Sequence, residues 1–184
     1  MPEQRVTAEQ KRAVLERARG CCEYCKSQAR FATQSFSTEH IIPRHLVSRQ
    51  GSNDGIEEFA SSDANGGHLR MPDSVFHQFI VDGTLGGETA LDNLALACQG
   101  CNNHKYTKTE AQDPVSDKVV PLYHPRQQRW HDHLAWNDGF ILVVGLTPTG
   151  RATIKALQLN RVELINLRRI LYAMGEHPPG DNLG

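Results

Sequence analysis

Four cysteines stand in two Cys-x-x-Cys pairs, Cys22 with Cys25 in "CEYC" and Cys98 with Cys101 in "CQGC". Thiolates from two tight turns make a tetrahedral zinc shell with Zn–S distances of about 2.3 Å, and a shell of four sulfurs has no open position, which makes it structural. Such a zinc would clip together two segments far apart in the chain and let a long insertion sit between them. Cys21 adjoins the first pair and could take the place of Cys22. A redox Cys-x-x-Cys is the competing chemistry, but redox pairs come singly, at a helix start in a βαβ setting that this sequence does not show.

Between the pairs lies "TEHIIPR", with Glu39 beside His40. A carboxylate can hold a hard divalent ion by its oxygens, and an imidazole titrating near neutrality can take a proton from water. Together they suit metal-assisted hydrolysis. Adjacent residues of a regular strand point to opposite faces, so one site can use both only where the strand bulges or ends. Pro43 supplies such an ending. In isolation a Glu-His pair is an ordinary exposed polar pair; its neighbours give it meaning.

The elements that must position these residues follow from pattern. Thr7 and Gln10 form a capping box for a helix over Thr7–Arg19, with Val14, Leu15 and Ala18 as its apolar stripe and Gly20 as its stop. Phe36–Ile42 alternates as a strand. Leu91–Ala97 is apolar just before the second cysteine pair, and a short helix is expected from Asn102. Residues 140–159, "GFILVVGLTPTGRATIKALQ", read as two strands joined by a Pro- and Gly-containing turn. A final helix is capped by Asn160 and Glu163, carries Leu164, Leu167, Leu171 and Met174, and stops at Gly175. From His45 to Gly87 the chain is glycine-rich, acidic and irregular, with one short helix expected over Asp73–Val81.

The blocks "CEYC", "EHIIPR" and "GGETALDNLALACQGCNNHK" resemble, in order and internal spacing, the motifs of the HNH endonuclease family. The resemblance covers about Arg19–Lys105. It implies an α+β fold: a ββα-metal (His-Me finger) core with a structural zinc knuckle, flanked by an N-terminal helix and by a C-terminal strand pair plus helix. It assigns His40 as the general base that activates water and Glu39 as a ligand of a catalytic Mg2+ or Mn2+, at a position usually held by aspartate. Asn93 matches the central asparagine, which fixes the loop and so the histidine. Asn102 matches the third position, often histidine; its amide oxygen is a hard ligand suited to magnesium or manganese. His104 is the rival for that role. Lys105 falls where the family often has a lysine and, with Lys108, either contacts phosphate or lines a solvated helix face. The implied reaction is hydrolysis of DNA phosphodiester bonds, His40-activated water attacking phosphorus in line at a single ion.

In "HPRQQRWHDHLAW", Arg126 and Arg129 are candidate nucleic-acid contacts, while Trp130 and Trp136 read as packing anchors. His45, His68 and His77 read as surface residues. The departure from the family pattern is the segment from about 45 to 85, where relatives pass within a few residues from the histidine block to "GG". It could shape access, cover the site or bind a protein partner.

Length and composition agree with one domain over residues 1–184: a core of about 19–108, the acidic insertion within it, and an extension of about 109–175. Residues 45–92 carry eight acidic side chains against two arginines, a balance of −6 in a chain of net charge −1, which leaves +5 for the rest to meet a phosphate backbone. No apolar run reaches the roughly 20 residues of a membrane span, and the polar N-terminus lacks a signal peptide's apolar segment, so a cytoplasmic location is expected. The expected partner is DNA, with nicked, branched or RNA substrates open. The competing class is a zinc-stapled nucleic-acid- or protein-binding module without hydrolysis.

Overall fold

A computed structural model describes residues 5–44 and 87–180. The helix expected over 73–81, the rest of the 45–85 insertion, and His45, His68 and His77 lie outside the described residues.

Helix α1 (Ala8–Arg17) opens as its sequence requires: Thr7 Oγ1 accepts from the Gln10 amide at 3.1 Å while Gln10 Oε1 accepts from the Thr7 amide at 2.9 Å. It closes where Arg19 and Gly20 turn left-handed, φ 49° and 67°, and the Gly20 amide reaches back to the Leu15 carbonyl. Val14 and Ala18, four apart, are buried; Leu15 points outward.

Strand β1 (Ser37–His40) pairs antiparallel with β2 (Leu94–Ala97), Ser37 opposite Ala97 and His40 opposite Leu94. All four residues of β2 are buried, and its period-2 alternation separates two cores. Leu94 and Leu96 pack with Val14 and Ala18 under α1. Ala95 and Ala97 face the larger cluster of Cys22, Tyr24, Cys25 and Ile41, where small side chains let the cysteine turns come close.

Helix α2 (Gln99–Lys105) follows β2 after one residue. Its expected start at Asn102 moves back three residues because Cys98 caps it, the Cys101 amide donating to Cys98 Sγ at 3.5 Å. A sulfur here does the work of a capping hydroxyl, a role no residue preference at that position signals.

The extension holds two more hairpins, β3 (Glu110–Gln112) with β4 (Val119–Pro121) and β5 (Leu134–Trp136) with β6 (Val143–Gly145), and the helices α3 (Trp130–His133), α4 (Pro148–Leu157) and α5 (Val162–Ala173). The expected second strand of residues 140–159 is instead α4. Thr147 accepts from the Gly150 amide at 3.1 Å and Pro148 takes the first helical position, so residues that read as a turn are a helix start. In α5, Leu164 and Leu171 are buried, but Met174 is 63% exposed. Asn160 does not cap α5, which begins after Arg161 without a side-chain cap. Its amide pairs both ways with the backbone of Val143, each bond 2.8 Å, and so locks β6.

Buried Arg168 ties α5 to the first cysteine turn by donating to the carbonyls of Leu159 at 2.9 Å and Cys25 at 3.4 Å. Trp130, buried, donates its indole N–H to the Tyr24 carbonyl at 2.9 Å and packs on Trp136 with ring centres 5.4 Å apart. The described residues are thus a mixed α and β structure of two-stranded sheets and helices gathered on the cysteine turns.

Candidate active site and cysteine centre

The two Cys-x-x-Cys turns meet. Buried Cys22, Cys25, Cys98 and Cys101 place their sulfurs within 4.8 Å of one another, and those of Cys25 and Cys98 are 3.7 Å apart. Four sulfurs converging at that spacing fit a soft tetrahedral ion, and the quartet could hold a metal such as zinc. Cys21 is not among them; its sulfur turns to the Arg19 carbonyl at 3.7 Å. Hydrogen bonds from Cys101, Cys22 and Cys25 pull the Cys98 thiol down, whereas burial pushes that of Cys22 up, so negative charge gathers toward Cys98.

Arg161 answers that charge from outside, Nη2 3.3 Å from Cys98 Sγ and Nη1 3.8 Å from Cys101 Sγ. It can do so because residue 100 has no side chain: a Cβ there would stand 2.4 Å from Arg161 Nη2.

At the other end of the hairpin, β1 keeps its pairing through His40, and Glu39 and His40 turn to different partners. Glu39 is buried. Tyr24 Oη donates to its Oε1, and Lys105 Nζ lies 3.4 Å from Oε2 and donates to the His40 carbonyl at 3.1 Å. Burial pushes the Glu39 carboxyl up, with the Lys105 charge opposing, and pushes Lys105 down, with Glu39 opposing. Lys105, four residues after Cys101, is 2% exposed and is no solvated helix face.

His40 is half-buried. Its Nε2 lies 2.9 Å from Thr89 Oγ1, and the Thr89 carbonyl accepts from Gln10 Nε2 at 2.9 Å, so the capping residue of α1 also steadies the histidine's neighbour. Nδ1 has no recorded partner among the described residues. Burial first, then the charges of Arg44 and Lys105, hold the imidazole below its ordinary pKa.

Asn93 fastens the end of β1. Its Oδ1 accepts from the Ile42 amide at 2.8 Å, and its Nδ2 donates to the carbonyls of Ile42 and Glu88, both at 2.9 Å. The Asn93 carbonyl accepts from the Ile41 amide at 2.9 Å, so both sides of one residue grip the segment after His40. Gly87 permits this: a Cβ there would fall 2.2 Å from Asn93 Nδ2.

Asn102 lies in α2 one turn before Lys105, half-buried, with no recorded side-chain hydrogen bond among the described residues. Its rival His104 is also half-buried, and the His104 carbonyl accepts from exposed Lys108 at 2.7 Å. As hard oxygen donors, a carboxylate and an amide fit magnesium or manganese by chemistry. They stand on β1 and α2, which pack together. The Lys105 ammonium already holds the same carboxylate, so an ion and Lys105 are alternatives at Glu39. Arg126 pairs with Glu23, whose Oε2 accepts from the Leu96 amide at 2.8 Å; Arg129 is exposed.

Tyr24, Thr89, Gly87, Glu23 and Arg161 escaped the sequence reading. Tyr24 and Gly87 had a signal, lying inside "CEYC" and "GG"; Arg161, 60 residues from Cys101, had none.

A family model described as HNH endonuclease matches residues 65–108. The matched stretch holds Asn93, Cys98, Cys101, Asn102 and Lys105, while Cys22, Cys25, Glu39 and His40 precede it. No curated protein and no solved structure matches the chain. Among the described residues no helix is long and apolar enough to cross a membrane.

Proposed function

We propose that the protein is a divalent-metal-dependent endonuclease that hydrolyses phosphodiester bonds of DNA, with a ββα-metal core on a structural zinc. The observation that carries the reading is the Asn93 clamp, which grips Ile42 from both sides and fixes the strand end where His40 and Glu39 stand, within a hairpin followed by a helix and a stretch matched to the HNH family. With Nε2–H donated to Thr89, His40 carries its lone pair on Nδ1, the form that takes a proton from water. Thr89 and the Lys105 bond to the His40 carbonyl hold the ring and its backbone. Glu39 and Asn102 are the proposed holders of Mg2+ or Mn2+, which when bound stabilises charge on the leaving oxygen. Lys108 remains a proposed contact to the nucleic acid.

Cleavage of supercoiled plasmid tests this. Wild type nicks DNA with magnesium or manganese, His40→Ala loses roughly 100-fold or more of the rate, and Asn102→Ala needs more metal. The hold of Tyr24 and Lys105 on Glu39 favours a second reading, a zinc-stapled nucleic-acid-binding module without hydrolysis. Wild type that binds the plasmid and leaves it intact in both metals decides for that module.

A further inference from the structure

Arg17, Arg19, Lys26, Arg126 and Arg129 line one cleft of about 270 Å³ between the end of α1, the first cysteine turn and the segment before α3, with Glu23 on its wall. Both Glu23 oxygens are engaged, one by Arg126 and one by the Leu96 amide. Arg17 spends its bonds on the neutral carbonyls of Leu91, at 3.0 Å, and Leu94, at 2.6 Å, so its charge stays uncompensated. Lys26 Nζ lies 5.6 Å from the Trp130 ring centre. The guanidinium groups of Arg19 and Arg129 are exposed and make no recorded ion pair or hydrogen bond with described residues.

Burial, and then the charge of Arg17, push Arg126 down to about 10, which shows cations pressing on one another across the cleft. In a chain of net charge −1 this concentration is no by-product of general basicity. An anion in the cleft would relieve the repulsion. The aromatic residues of the lining are themselves buried, Trp130 at 1% and Tyr123 at 4% exposed, so the cleft offers charge and no stacking platform. That chemistry recognises phosphate rather than bases. The Arg17 partners Leu91 and Leu94 flank Asn93, and Leu94 lies opposite His40, so the cleft backs onto the strand that carries the proposed site.

We propose that this cleft is a second contact for the nucleic-acid backbone, seating a phosphate that flanks the bond to be cut. Arg17, Arg19, Lys26 and Arg129 provide the charge, and Arg126, held by Glu23, shapes the wall. The proposal rests on the nucleic-acid half of the proposed function and does not need hydrolysis.

The test measures binding of a short fluorescein-labelled DNA duplex by anisotropy across a salt series, in full-length protein carrying His40→Ala so that the probe stays whole. Arg19→Gln with Arg129→Gln should weaken binding roughly tenfold and flatten the slope of log K against log salt by about 1.8, about 0.9 per lost phosphate contact. Arg169→Gln, which removes an exposed charge on α5, is the control and should change neither by comparable amounts. Equal affinity and slope for the double variant, or equal losses for the control, overturn the cleft. Plasmid cleavage by otherwise wild-type protein is scored separately, so loss of binding without any cleavage would sink the enzyme and leave the cleft standing.

Discussion

Cys101 and Lys105 lie four residues apart on α2, and each ends in a buried charged centre. At Cys101 four sulfurs converge with their only recorded cation, Arg161, on the outside. At Lys105 the chain supplies the inner cation itself, against Glu39. The first centre is a set of like ligands that repel until an ion enters; the second is an internally compensated pair that an ion must compete for. Folding energy should therefore depend on metal at the cysteines and much less so at Glu39, even though both sites sit on one short helix.

The strongest way to break that contrast is Cys98→Ser. Structural zinc contributes about 10–16 kcal/mol of apparent binding energy in small zinc domains, so zinc content should fall and soluble folded protein should be lost. Retention of both would remove the cysteines from the argument. Next is Lys105→Met, which leaves Glu39 buried with only Tyr24. The expected loss is about 3–5 kcal/mol by urea unfolding, and Glu39→Gln with Lys105→Met should recover most of it. If single and double variants are equally destabilised, the pair is not the compensated centre described.

A smaller effect, about 1–3 kcal/mol, is expected for Asn93→Ala, which leaves the buried backbone of Ile42 and Glu88 without partners. Plasmid cleavage should fall further than stability explains, because the strand end carrying His40 loosens; cleavage that merely tracks the folded fraction would deny Asn93 a positioning role. Least of all, Gly100→Ala should fold and should push Arg161 off the sulfurs. Zinc affinity measured by chelator competition should drop about 10-fold, the low end for an outer partner of a metal ligand; unchanged affinity would make Arg161 a bystander.

Local pattern carried the α1 capping box, the two cysteine turns, the β1 and β2 strands and the final helix, because each rests on contacts within a few residues. Pattern failed where a side chain chose a distant partner. Asn160 looks like a cap and bonds β6 instead; Thr147-Pro148 looks like a turn and opens α4. Lys105 was legible as a lysine at a family position, but its burial was not, since that depends on Glu39 from 66 residues earlier arriving beneath it.

By itself the sequence determined the chemistry available: four thiols in two pairs, one carboxylate beside one imidazole, and two amides at family spacing. Only the tertiary structure decided how that chemistry is shared out. Cys22 rather than Cys21 joined the quartet, Glu39 was given to Tyr24 and Lys105, His40 to Thr89, and scattered arginines were drawn into one cleft. The reason is that residue type fixes what a group can bind, whereas desolvation and the direction of each side chain, which set what it does bind, exist only once remote segments have packed.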